Sequence, residues 1–176
     1  MNLKLKRTPG IYVVGFMASG KSTVGRHLAH RLGWNFFDTD DEIEAAECMS
    51  IAEIFAKRGE EEFRRIESSI IRQHFHWIER GRPAVLALGG GAFAEEANRE
   101  LLADNGLAVW LDCPFELVQR RVANTCHRPL AQDPEKFAAL YAARRTAYQA
   151  ADIHIPIESD APDVTVEAIV RHPLFE

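Results

Sequence analysis

The chain has 176 residues, 47% of them hydrophobic and 27% charged, with a formal net charge of −5. A chain of this length buries about 70% of its unfolded surface, so one self-sufficient core in a single domain is expected. The acidic balance excludes bulk affinity for nucleic acid, which depends on many Lys/Arg–phosphate contacts, but leaves a small anionic substrate open.

In chain order, MNLKLKRTPG is basic without an apolar h-region, so no signal peptide is expected. No run approaches the ~18 apolar residues of a membrane span. IYVVGF (Ile11–Phe16) is the first strand: short, apolar, β-branched or aromatic, as in parallel strands buried on both faces. Lys21–Leu32 follows as a helix closed by Gly33, a favoured residue just past a helix end. Trp34–Asp38 is a weaker strand. Ser50 to Glu53 reads as a capping box opening a short helix that Gly59 stops. Glu60–Glu79 forms a longer helix, its leading glutamates suiting the positive end of the dipole. Ala84–Leu88 and Leu107–Leu111 are buried strands, and Asp152–Ile157 a weaker one. Further helices are expected at Ala94–Ala103, Pro114–Ala123, Pro134–Ala150 and Pro162–Arg171. This alternation means βαβ units with right-handed crossovers. No repeat, low-complexity tract or dividing linker interrupts it. Asn124–Pro134, polar with two prolines, is the best candidate for a mobile loop. Cys48, Cys113 and Cys126 are odd in number and lack metal-ligand spacing, so they read as free thiols of a reducing compartment. A cytoplasmic monomer is the expectation.

GFMASGKS matches G-x-x-x-x-G-K-[ST] at Gly15, Gly20, Lys21 and Ser22, between an expected strand and an expected helix. A loop there aims successive backbone N–H groups and a helix N-terminus at one spot. Lys21 would reach the β- and γ-phosphates, and the Ser22 hydroxyl would ligate Mg²⁺. With Ala18, Ser19 and Thr23, this loop is read as the site of a nucleoside triphosphate, ATP. It identifies a phosphate donor and leaves the acceptor open, because GTPases, ATPases and small-molecule kinases share it.

Four features bear on the acceptor. Asp38 and Asp40 follow a strand whose carboxyl end faces the ligand crevice of an open α/β sheet. One could hold Mg²⁺ through water and the other accept a hydroxyl proton; alternatively Asp40 or Asp41 only caps the next helix. Arg64 falls at the edge of an apolar stripe of Phe63, Ile66, Ile70, Trp77 and Ile78, one turn from Glu67. It is either an anion clamp or a side chain snorkelling to solvent. Arg144 falls in the middle of the face marked by Phe137, Leu140, Tyr141 and Tyr148, where a guanidinium must meet an internal carboxylate or a bound anion. Arg145 lies off that face and is expected to be solvated. Two arginines near one cleft suit a carboxylate-bearing acceptor. Gly89–Gly91, directly after a strand, either lets the backbone touch a ligand or makes a sharp turn.

Taken together, the Gly15–Thr23 loop, Asp38-Thr39-Asp40, GEEEFRRIE (59–67), LGGG (88–91), RPL (128–130) and LYAARRTAY (140–148) resemble the shikimate kinase family, in order from about residue 10 to 155. The phosphate loop is common to many families; the combination of the others is close to unique to this one. The resemblance implies a nucleoside-monophosphate-kinase-like three-layer α/β/α fold with a five-stranded parallel sheet. It implies transfer of the ATP γ-phosphate to the 3-hydroxyl of shikimate, on the route to chorismate and the aromatic amino acids. By position, Asp40 would hold the substrate's ring hydroxyls and draw the proton, and Asp38 would sit near the Mg²⁺ water shell. Arg64 and Arg144 would grip the carboxylate, Gly90 and Gly91 would contact shikimate through the backbone, and Glu67 would orient Arg64. The acceptor side would occupy a helical region of about 40–80. Arg128 would lie in a lid of about 121–135, with Arg121 at its base near the nucleotide and Pro156–Pro162 near the adenine. Many members carry glycine where Ala18 stands, and Cys126 and His127 have no role in the pattern. A kinase for an aminated shikimate or gluconate, or a catalytically silent nucleotide-binding module, are the rival readings.

Overall fold

The computed structural model describes residues 10–103, 105–124 and 133–175. Its elements are β1 (Gly10–Val14), α1 (Lys21–Leu32), β2 (Asn35–Asp38), α2 (Thr39–Glu47), α3 (Ile51–Glu79), β3 (Ala84–Ala87), a 3₁₀ turn (Ala92–Ala94), α4 (Glu96–Ala103), β4 (Leu107–Asp112), α5 (Phe115–Ala123), α6 (Pro134–Tyr148), β5 (Ile153–Pro156) and α7 (Pro162–Val170). The five strands form one sheet in the order β2-β3-β1-β4-β5, parallel at every pairing. β1 and β3 are buried along their whole length and β4 all but its last residue, which is why they read as unbroken apolar runs. The edge strands differ. Every residue of β2 is partly exposed, and β5 alternates buried with exposed, which weakens their apolar signal. Helices cover both faces, as this burial demands, giving the expected three layers; α1 packs across β2 and β3 and against α7.

α1 ends as expected, with Gly33 in the left-handed conformation at φ 67°. The Ser50–Glu53 capping box is complete, with both reciprocal bonds made. Gly59 breaks α3 at φ 83°, ψ 172°, a conformation closed to side-chain-bearing residues, so α3 is two arms at an angle. The second arm buries Phe63, Ile66, Glu67, Ile71, His74 and Ile78, while Ile70 and Trp77 of the expected stripe are half-buried. The face is thus rotated toward two polar residues, each given an internal partner. His74 pairs with Glu42 of α2 and lies 4.4 Å from the Phe37 ring. α2 has no range in the sequence reading, which raises it only as a helix that Asp40 or Asp41 would cap. Its N-cap is Asp38, whose Oδ1 accepts from the Asp40 N–H at 3.0 Å; neither Asp40 nor Asp41 caps it. Ile43, Ile54, Phe63 and Ile66 form a small apolar cluster between α2 and α3, apart from the main core. This second cluster joins α2 to α3.

Candidate active site

The phosphate loop runs from the end of β1 into α1, pinned by a bond from the Ser19 N–H to the Phe16 carbonyl (3.2 Å) and one from Lys21 Nζ to the same oxygen (2.9 Å). Gly20 lies at φ 95° and Ala18 at φ 60°. Ala18 is therefore left-handed where many family members carry glycine, at about 1–2 kcal/mol for a residue with a Cβ. A cavity of about 400 Å³ opens beside the loop, lined by Ala18, Gly20, Thr23, Arg121, Ser159 and Pro162 among others. Arg121 crosses it, donating to the Ala18 carbonyl (2.9 Å) and pairing with Asp160 (2.5 Å). That bond holds the Asp160 carboxyl below the ordinary carboxylate range. The 156–162 segment thus lines a cavity of nucleoside size.

A second cavity of about 200 Å³ lies over the loop between Lys21, Ser22, Thr23, Asp38, Asp40 and Gly90. Ser22 Oγ donates to the Asp38 carboxylate, so the two groups expected near a metal are already in contact. Hard hydroxyl and carboxylate oxygens next to a phosphate loop fit Mg²⁺, which takes one or two protein oxygens and completes its shell with phosphates and water. Among the described residues no cluster of three or more His, Cys, Asp or Glu could hold a metal by itself.

The third cavity, about 170 Å³, adjoins the second through Met17, Asp40 and Gly90. Asp40 comes from the first turn of α2, Arg64 and Glu67 from the second arm of α3, Gly89–Gly91 from the end of β3, and Arg144 from α6. Arg64 Nη1 donates to Glu67 Oε2 at 2.6 Å, and its guanidinium lies 5.1 Å from the Phe63 ring. Its Nε is buried with no hydrogen-bond partner among the described residues. Arg144 Nη1 donates to the Gly91 carbonyl at 3.3 Å. Glu67 is 1% exposed, and burial pushes its carboxyl above the ordinary value against the opposing pull of Arg64. Asp40 and Arg144 also act on that carboxyl, one raising and one lowering it, so the four charges share one field. Arg64, its side chain 18% exposed, is thus held by Glu67 at the cavity wall rather than extended into solvent.

The glycines of the triglycine serve space. A Cβ on Gly89 would come within 2.6 Å of Asp40 Oδ1 and 2.7 Å of Glu67 Oε1, and one on Gly91 would overlap the Arg64 guanidinium. Only Gly90 has ordinary room, its nearest neighbours at 3.8 Å. Phe16, Met17, Ile51, Phe55, Phe63 and Leu140 complete the cavity wall. The sequence reading gave Met17, Ile51 and Phe55 no site role, although Ile51 and Phe55 share an i,i+4 face of α3's first arm.

Arg145 corrects an expectation. It is a fork onto Asp112 at the end of β4, with its guanidinium 5.0 Å from the Trp110 ring and its Nη1 3.0 Å from the Tyr141 hydroxyl. Arg128, Cys126 and His127 lie outside the described residues.

A family model described as shikimate kinase matches residues 17–173. The chain belongs to the shikimate kinase family. It is 44% identical over 146 residues to a shikimate kinase of Ruegeria pomeroyi, covering 81% of this chain and 73% of that one. Against that of Persephonella marina it is 39% identical over 161 residues, covering 91% and 96%. A solved shikimate kinase from Acinetobacter baumannii, in complex with shikimate, superposes with a TM-score of 0.86 at 36% identity over 95% of this chain and 93% of that one. A gluconokinase from Sinorhizobium meliloti shares only the fold, at 15% identity over 92% of this chain and 89% of that one, with a TM-score of 0.52. As a shikimate kinase family member the chain is a kinase that uses ATP. No helix among the described residues is long and apolar enough to cross a membrane.

Proposed function

We propose that this chain transfers the γ-phosphate of ATP to the 3-hydroxyl of shikimate, giving shikimate 3-phosphate and ADP on the route to the aromatic amino acids. The observation that carries this reading is the convergence of Arg64 and Arg144 with Asp40 in one cavity that adjoins the phosphate loop. Two guanidinium groups suit a carboxylate, and Asp40 suits a polyol. The nucleoside fills the cavity between the loop, Arg121 and the 156–162 segment, which leaves the phosphates over Lys21, Ser22 and Thr23.

Phosphoryl transfer requires alignment and neutralisation of charge more than covalent chemistry from the protein. Lys21 and the loop N–H groups bind the phosphate oxygens as charge shifts toward the leaving group. Ser22 and Asp38 would hold Mg²⁺, which supplies further positive charge when bound with the nucleotide. Arg64, kept in place by Glu67, and Arg144 hold the carboxylate at the far end of the acceptor, turning its reacting hydroxyl toward the nucleotide. Asp40 takes the hydroxyl proton as the oxygen–phosphorus bond forms and the bond to the ADP oxygen breaks. Arg128, assigned by position in the family pattern, adds a charge to the phosphates in this reading. The chain acts as one kinase domain with its acceptor side at about residues 40–80 and its lid at about 121–135. A monomer suffices, because one copy supplies every group named above, and free Cys48 and Cys113 fit the cytoplasm.

A coupled ADP-release assay with shikimate, aminated shikimate, gluconate and no acceptor tests the reading. Shikimate should give by far the highest kcat/KM. A preference for gluconate, or ADP release indifferent to acceptor, would overturn it.

A further inference from the structure

The triglycine after β3 has three N–H groups and three carbonyls, and the three carbonyls and one N–H are engaged within the protein. The Gly89 N–H donates to Thr39 Oγ1 at 3.0 Å, and the Gly89 carbonyl accepts from the Ala92 N–H at 3.0 Å. The Gly90 carbonyl accepts from the Tyr148 hydroxyl at 2.5 Å. The Gly91 carbonyl accepts from the Ala94 N–H at 3.1 Å and from Arg144 at 3.3 Å. Among the described residues, nothing accepts from the N–H of Gly90 or of Gly91, and both residues line the acceptor cavity.

We infer that Thr39 and Tyr148 are positioning residues whose hydroxyls fix the triglycine loop so that the Gly90 and Gly91 N–H groups remain available to acceptor oxygens. Three glycines in a row are the least constrained tripeptide a chain can use, so their geometry must be imposed from outside. Thr39 does this from α2. Fully buried, its hydroxyl uses both its capacities, donating to the Ala87 carbonyl (3.3 Å) while accepting from Gly89. Because Thr39 stands between Asp38 and Asp40, one side chain sets the register between the two acids and the loop. Tyr148 does it from α6. Its phenol is buried beside Trp110, at 6.0 Å between ring centroids, and burial pushes its ionisation well above the ordinary tyrosine range, so it stays a donor. With each carbonyl already accepting from a donor of the protein, the loop's unengaged groups are the two N–H donors, which match the lone pairs of carboxylate and hydroxyl oxygens.

This inference rests on the shikimate reading, and the test separates the two. Steady-state constants for both substrates are measured for the wild type, Thr39→Val, Thr39→Ser and Tyr148→Phe. Thr39→Val and Tyr148→Phe should each raise the shikimate KM about fivefold, the effect of one neutral hydrogen bond, and leave the ATP KM within about twofold. Thr39→Ser, which keeps the hydroxyl, should match the wild type. The positioning role is overturned if the two KM values rise together, if serine is as impaired as valine, or if no variant changes. Should Thr39→Val not fold, Tyr148→Phe, which keeps the buried ring, decides by the same criteria. If the wild type shows no shikimate-dependent ADP release, the functional reading falls instead. Amide exchange at Ala92 and Ala94, whose N–H groups bond the loop's carbonyls, then decides the positioning role: faster in Tyr148→Phe supports it, unchanged overturns it.

Discussion

In the proposed function the two ends of the cleft would hold anions by different means. The nucleotide end is one continuous run, Gly15 to Thr23, whose donors are largely backbone N–H groups set between a strand and a helix. The acceptor end has no continuous run. It takes Asp40 from α2, Arg64 and Glu67 from α3, glycines from β3 and Arg144 from α6. Phosphates of any nucleotide look alike, so a local loop suffices. A particular hydroxylated acid must be recognised from several sides, and only tertiary packing brings those sides together. The nucleotide end should therefore tolerate change in most of its side chains, while the acceptor end should respond sharply, and selectively, to single side chains.

The largest expected effect lies where the ends meet. Asp40→Asn should lower kcat at least about 100-fold while the ATP KM changes little, since general-base assistance is worth about 10²–10⁴. A parallel loss of ATP affinity would mean that Asp40 belongs to the nucleotide end.

A middle-sized effect concerns pH. Burial raises the Glu67 carboxyl above its ordinary 4.5. As pH falls through that raised value Glu67 becomes neutral and loosens its hold on Arg64, so the shikimate KM should climb at a pH where exposed glutamates are still ionised. Glu67→Gln should remove that acid limb and start about three- to tenfold higher at neutral pH. The stability effect has the opposite sense. With the folded value above the unfolded one, this group's stabilisation is complete below the ordinary glutamate range and is lost as pH rises through the raised value. The melting temperature of Glu67→Gln relative to wild type should therefore rise between pH 4 and pH 8; a flat difference would contradict the buried, raised carboxyl.

The smallest effect sharpens the nucleotide end. Ala18→Gly should relieve the left-handed strain at φ 60°, offset in part by glycine's greater unfolded freedom. A rise in melting temperature of about 1–3 °C is expected, with the ATP KM within about twofold. A fall would show that the loop's environment, rather than local strain, governs this residue.

The same division decides what could be read from the sequence. The phosphate loop was legible because its residues are adjacent, and the central strands because both their faces are buried. Helix α2 was not: DTDDEIEAAE is short and acid-rich, and its cap, Asp38, is also the partner of Ser22. The buried face of α3 was misjudged near His74, whose burial depends on Glu42 and Phe37 from other elements. Arg64 and Arg144 were singled out by angular position, since a cation on or beside an apolar face requires a partner, and the structure brings both to one cavity. The same counting failed for Arg145, because the carboxylate that holds it, Asp112, sits on a strand that no helical period can register. The hydroxyl bonds of Thr39 and Tyr148 to the triglycine likewise span distant parts of the chain.

The most direct test of the acceptor end is discrimination between shikimate and its methyl ester, measured as a ratio of kcat/KM in the wild type, Arg64→Ala and Arg144→Ala. Two charge-assisted guanidinium contacts should make the wild type favour the free acid by about 100-fold or more, and each substitution should erase about tenfold or more of that preference. Equal use of acid and ester by the wild type, or a preference undiminished in both variants, would contradict the arginine clamp.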